Sequence, residues 1–203
     1  MSARARKMTV VAVVAGLVLV GCGKGGAGST GSSGGTTAGT TAGATKVSAT
    51  AYVAKLCSGF TGWQQAVSTR ASNLSQNLSP SDTVQERKTA LADYLDGLVA
   101  DTDDLIQSSE AAGIPDVSGG EAAAHRLTSA FQDVKTALQK ARKKVDTLPT
   151  DVTGFQNATE QLGNDITDSL TGIGNSLSTL SQGDLDAAFN ANPTCQKIAT
   201  GGS

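Results

Sequence analysis

Leu127-Thr128-Ser129-Ala130-Phe131-Gln132-Asp133-Val134-Lys135-Thr136-Ala137-Leu138-Gln139-Lys140-Ala141-Arg142-Lys143-Lys144-Val145-Asp146-Thr147-Leu148 is the stretch that decides the fold. Its apolar residues, Leu127, Phe131, Val134, Leu138, Ala141, Val145 and Leu148, recur at steps of three and four, with polar residues between them. A strand would alternate at a step of two. This spacing lays one apolar stripe along a helix of 3.6 residues per turn.

Working outward, three other stretches carry the same period. The first holds Val53, Leu56, Phe60, Trp63, Val67, Ala71, Leu74 and Leu78. The second holds Val84, Leu91, Leu95, Leu98, Leu105 and Ile106, with Lys88 and Thr102 diluting its stripe. The last holds Phe155, Leu162, Ile166, Leu170, Ile173, Leu177 and Leu180. Ser79-Pro80-Ser81-Asp82, Ile114-Pro115 through Gly119-Gly120, and Leu148-Pro149-Thr150-Asp151 punctuate them. The predicted helices therefore span about 51–79, 82–112, 120–148 and 151–182. Ser81 or Asp82 is placed to cap the second and Asp151 the fourth.

Each stretch is about 28 to 32 residues, or roughly 42 to 48 Å of helix. Equal lengths and short connections favour antiparallel neighbours. The expectation is all-α: an up-down-up-down four-helix bundle within residues 47–200. Gly163, Gly172 and Gly174 weaken the fourth helix, each by up to about 1 kcal/mol. They mark either a close approach of another helix or local flexibility.

The N-terminus is of another kind. Arg4, Arg6 and Lys7 precede an apolar run from Met8 to Val20, which ends at Leu19-Val20-Gly21-Cys22. A basic start, a short apolar run and a small residue before a cut make a secretory signal, too short to serve as a spanning helix. The last four residues resemble a bacterial lipobox, which implies removal of residues 1–21 and a diacylglyceryl group on Cys22. Two acyl chains at about 0.8 kcal/mol per buried methylene make a stable anchor without a transmembrane helix. Residues 22–46 are then a lipid-anchored tether. Gly, Ser, Thr and Ala dominate it, and it cannot bury enough apolar surface to order itself.

The whole chain has a net charge of −2. Loss of Arg4, Arg6 and Lys7 takes 16 basic residues to 13 against 18 acidic, a net of −5. Such a balance argues against nucleic acid and against adsorption to anionic lipid.

With Cys22 acylated, Cys57 and Cys195 remain. Cys57 lies near the start of the first helix and Cys195 beyond the end of the fourth, which an up-down-up-down bundle brings to one end. Outside the cytosol they are expected to form a disulfide, rather than two buried thiols. In the chain-entropy model so long a loop contributes at most about 5 kcal/mol. The amphipathic piece Asp184 to Phe189 then turns back across that end of the bundle.

Residues suited to chemistry are sparse. His125 lies four residues after Glu121, so both share a helix face, but a metal centre needs three or four ligands. No metal or other cofactor is expected, and no catalytic residue is assigned. Glu121 and His125 are the only pair worth mutating. Asp101, Asp103 and Asp104 lack the glycine and distal glutamate of a calcium loop and are read as a solvated helix surface. Lys140, Arg142, Lys143 and Lys144 close the third helix, where the helix dipole favours positive charge. They are the candidate interaction patch, at the end pointing away from the tether.

Lipobox, low-complexity tether and the arrangement Tyr52-x-x-x-x-Cys57…Trp63…Cys195 resemble the small envelope lipoproteins of high-GC Gram-positive bacteria. That resemblance implies export, lipidation and a helical domain on the extracytoplasmic face of the cell membrane. The expected function is a non-enzymatic binding module that engages another envelope protein. A carrier holding a small apolar ligand or lipid within the bundle is the alternative.

Overall fold

Where the sequence repeats at three and four, the chain winds into long helices. The computed structural model describes residues 45–180 and 184–199, which are mostly helical. In order they form β1 (Lys46–Val47), α1 (Ala49–Asn77), α2 (Val84–Ala111), β2 (Ile114–Pro115), α3 (Gly120–Asp146), α4 (Val152–Leu180), α5 (Asp184–Ala191) and α6 (Pro193–Ala199). The signal segment, Cys22 and the tether as far as residue 44 lie outside the described residues.

Local chemistry sets the helix ends. Ser48 Oγ accepts the Ala51 N–H at 3.2 Å and opens α1. At α2 the cap is Thr83, not Ser81 or Asp82. Its hydroxyl accepts the Glu86 N–H at 3.2 Å while the Glu86 carboxylate accepts the Thr83 N–H at 2.7 Å, a reciprocal capping box. Asp82 is occupied one step earlier, where its carboxylate accepts the Ser79 N–H at 2.6 Å and closes the preceding turn. Asp151 Oδ1 accepts the Gly154 N–H at 2.8 Å and caps α4.

The link between α2 and α3 holds a feature that the sequence period does not announce. β1 and β2 pair in parallel, Lys46 with Ile114 and Val47 with Pro115. Ile114 N–H donates to Thr45 at 3.0 Å and Asp116 N–H donates to Val47 at 2.8 Å. Gly113, at φ 88°, lets the chain turn out of α2 here; a Cβ would lie 2.6 Å from the Thr45 carbonyl oxygen. The chain entering α1 is thereby fixed beside the start of α3, opposite that helix's basic end.

Among the described residues α1 packs on α2, α2 on α3, α3 on α4, and both α5 and α6 on α1. Trp63 with Thr102 and Gly59 beside Ser108 show α1 and α2 antiparallel. Asp103 with Lys135 and Asp96 with Arg142 show the same of α2 and α3. The stripe of α3 is buried throughout, and Phe131 is fully enclosed. In α1 burial is complete only from Tyr52 to Phe60, and Trp63 and Val67 are half-buried. Phe60 links helices: its ring centroid lies 5.4 Å from Trp63 and 6.4 Å from Phe131. Phe155 and Leu162 of α4 are buried; Leu170, Ile173, Leu177 and Leu180 lie outside the side chains described.

Cys57 and Cys195 form a disulfide, with Cα atoms 5.3 Å apart across a sequence separation of 138.

Hydrogen bonds from Thr83 hold the Glu86 carboxyl below its ordinary value. A depressed carboxyl stabilises the fold above its unfolded value, and that contribution is lost as pH falls through the folded one. Thr83→Ala should cost about 1 kcal/mol in urea unfolding at neutral pH. The deficit relative to wild type should shrink below the ordinary glutamate range. A deficit unchanged by acid would show that the carboxylate does not contribute to the cap.

Candidate functional site

Polar residues on the apolar stripe of α2 have structural partners. Lys88, 9 % exposed, reaches the C-terminus of α3 and donates to the Asp146 and Leu148 carbonyl oxygens at 3.2 and 3.0 Å. Its neighbour Arg87 points the other way and donates to Ser79 and Pro80 carbonyl oxygens, just past the end of α1, at 3.3 and 3.1 Å. One dipeptide in the first turns of α2 therefore supplies donors to the C-terminal ends of both flanking helices. Farther along, Thr102 is 1 % exposed; its hydroxyl donates to Leu98 and accepts the Trp63 indole N–H at 3.1 Å. Trp63 is thus core with one polar tie.

Asp101 and Asp103 are interhelical partners, where a solvated surface was expected. Arg70 crosses the face of Gly97, whose added Cβ would lie 2.1 Å from the guanidinium, and grips Asp101 through both Nε and Nη2. The hydrogen bond to Asp101 raises the Arg70 guanidinium above its ordinary value. Asp103 pairs with Lys135 while its side chain stays 43 % exposed, and Asp104 is exposed.

The basic end of α3 divides in two. Arg142 pairs with Asp96 and Asp146, each at 2.9 Å, and Lys144 pairs with Asp165 at 2.6 Å. Bonds to Asp96 and then Asp146 raise the Arg142 value. Lys140 and Lys143 are exposed and enter no ion pair among the described residues. Of the four, then, two join α3 to its neighbours and two face outward.

His125 and Glu121 share a face, Nε2 lying 3.8 Å from Oε1, and both side chains are about three-quarters exposed at 75 and 73 %. Among the described residues no three His, Cys, Asp or Glu converge as metal ligands, and no helix is long and apolar enough to cross a membrane. Tyr52 has a strongly perturbed phenol, pushed up to about 12 by burial, which keeps its hydroxyl protonated in the core. A shallow groove between α1 and α2 is lined by Ala54, Lys55, Ser58, Gly59, Ser108 and Ala111, and Lys55 closes one side by donating to the Ala111 carbonyl oxygen at 3.3 Å. The Ala111 carbonyl oxygen at this groove thus has a local donor, and apart from Lys55 the lining side chains are small.

No protein-family model, no curated protein and no solved structure matches this chain.

Reasoning from period alone missed Arg87 and Lys88. Their signal was present: a lysine on an apolar stripe, one turn into a helix, lies close enough to reach the end of an antiparallel neighbour. Lys88→Ala should cost about 1 to 3 kcal/mol in urea unfolding, because buried carbonyls lose their donor. Lys140→Ala should stay within about 0.5 kcal/mol of wild type. Equal effects would refute the division into structural and outward-facing cations.

Proposed function

We propose that the chain is an extracytoplasmic lipoprotein, anchored to the cell membrane through Cys22, whose helical domain is a non-enzymatic binding module for an envelope protein. In this reading α1–α4 make an up-down-up-down four-helix bundle. Packing of successive long helices supports that arrangement, as does the antiparallel sense of α1 with α2 and of α2 with α3.

The observation that carries the proposal is the buried Cys57–Cys195 disulfide. Such bonds belong to oxidising compartments, and this one agrees with a chain that begins on a secretory signal ending in Leu19-Val20-Gly21-Cys22. The resemblance to small envelope lipoproteins points the same way. Attachment of the tether beside the start of α3 directs the basic end of that helix outward. Lys140 and Lys143, exposed there, are the residues proposed to meet an anionic patch on the partner.

Intact mass of the membrane-extracted protein tests the anchor. A polypeptide beginning at Cys22 with a diacylglyceryl adduct is expected, and Cys22→Ala should move the protein from the membrane to the soluble fraction. A full-length, unmodified mass would overturn the anchor. Crosslinking in intact envelopes tests the module: Lys140→Glu with Lys143→Glu should abolish an adduct that wild type forms. An adduct unaffected by both changes would overturn the patch.

A further inference from the structure

We propose that α5 and α6 form a strap that the Cys57–Cys195 bond fastens over the first turns of α1, and that reduction releases the strap while α2 and α3 stay folded. The short helices are 8 and 7 residues long, below the length at which a helix persists by itself. Among the long helices, their described packing is on α1. Among the described residues their apolar hold is small: Leu185 and Ala188 are buried, and Phe189 and Ile198 are partly buried against the core. Against this stands the entropy of ordering both helices.

Covalent fastening makes up the difference. Asn192 Oδ1 accepts the Thr194 and Cys195 N–H groups at 2.9 and 3.2 Å and starts α6 so that Cys195 faces α1. The Cys195 sulfur is fully buried and lies 3.8 Å from the Val53 carbonyl oxygen, with Cys57 beside it. The paired core of α2 and α3 is built from other residues: Leu95, Leu127, Phe131, Val134 and Val145. Loss of the strap therefore uncovers the face of α1 around Val53 and Cys57 and leaves the α2–α3 pairing in place.

A dithiol supplies the two electrons. Its thiolate attacks one sulfur of the bond, the other sulfur leaves as a thiolate, and the second thiolate of the reductant resolves the mixed disulfide. Cys57 and Cys195 each gain a hydrogen, and the reductant ends as a disulfide. Because both sulfurs are buried, attack follows local opening of α6.

Hydrogen exchange read by mass spectrometry on the full chain, oxidised and in dithiothreitol, tests the strap. Peptides covering 184–199 should exchange at least about tenfold faster after reduction, and those covering 84–111 and 120–146 should change by less than about twofold. Cys57→Ser with Cys195→Ser should reproduce the reduced pattern. Retained protection in 184–199 would show that the strap holds without the bond. Loss of protection in α2 and α3 would show that the bond holds the whole fold. Either result overturns the proposal.

Discussion

The apolar stripe of α3, running from Leu127 to Val145, is the surface on which the rest of the molecule assembles. It is buried along its length, and Phe131 at its middle is completely enclosed. α2 and α4 pack on α3, and Phe60 brings α1 into ring contact with Phe131. A stripe of six residues that must all leave water leaves little choice in rotation about the helix axis. That rotation decides which polar residues meet the neighbours and which face out.

Charge follows from this placement. α4 and α5 carry Glu160, Asp165, Asp168, Asp184 and Asp186 and no lysine or arginine, whereas α3 has Arg126, Lys135, Lys140, Arg142, Lys143 and Lys144. Lys135 and Arg142 turn to α2, and Lys144 turns to α4. Half-exposed pairs of this sort contribute about 0.2 to 1 kcal/mol each, well below a buried aromatic ring. Their effect is on register and orientation more than on stability. The exception is Arg70 with Asp101, a bidentate contact whose carboxylate side chain is only 13 % exposed.

Most of the long-helix pattern was legible because period three-and-four reports directly on burial. The pairing of Cys57 with Cys195 was legible too, since the antiparallel connections expected of the four long stretches would bring both positions to one end. Polar contacts between helices were not. Asp101 and Asp103 look like solvated acids until the neighbouring Arg70 and Lys135 are in place, and Lys88 reads as a flaw in its stripe. Thr83 lost to Ser81 and Asp82 because single-residue preference ranks all of them as caps; the deciding signal was Glu86, three residues on. The β1–β2 ladder depends on a meeting of residues 46–47 with 114–115, which local periodicity does not encode. The candidate patch was half legible: four clustered cations were visible, and only their neighbours separate Arg142 and Lys144 from Lys140 and Lys143.

Urea unfolding tests the primacy of the α3 stripe most directly, with Phe131→Ala measured beside the triple variant Lys135→Ala, Arg142→Ala, Lys144→Ala. If burial on α3 organises the fold, Phe131→Ala alone costs about 3 to 5 kcal/mol, while the triple variant loses under about 2 kcal/mol. The reverse order, with the charge-free α3 the less stable, would contradict the account and make ion pairing the organising interaction.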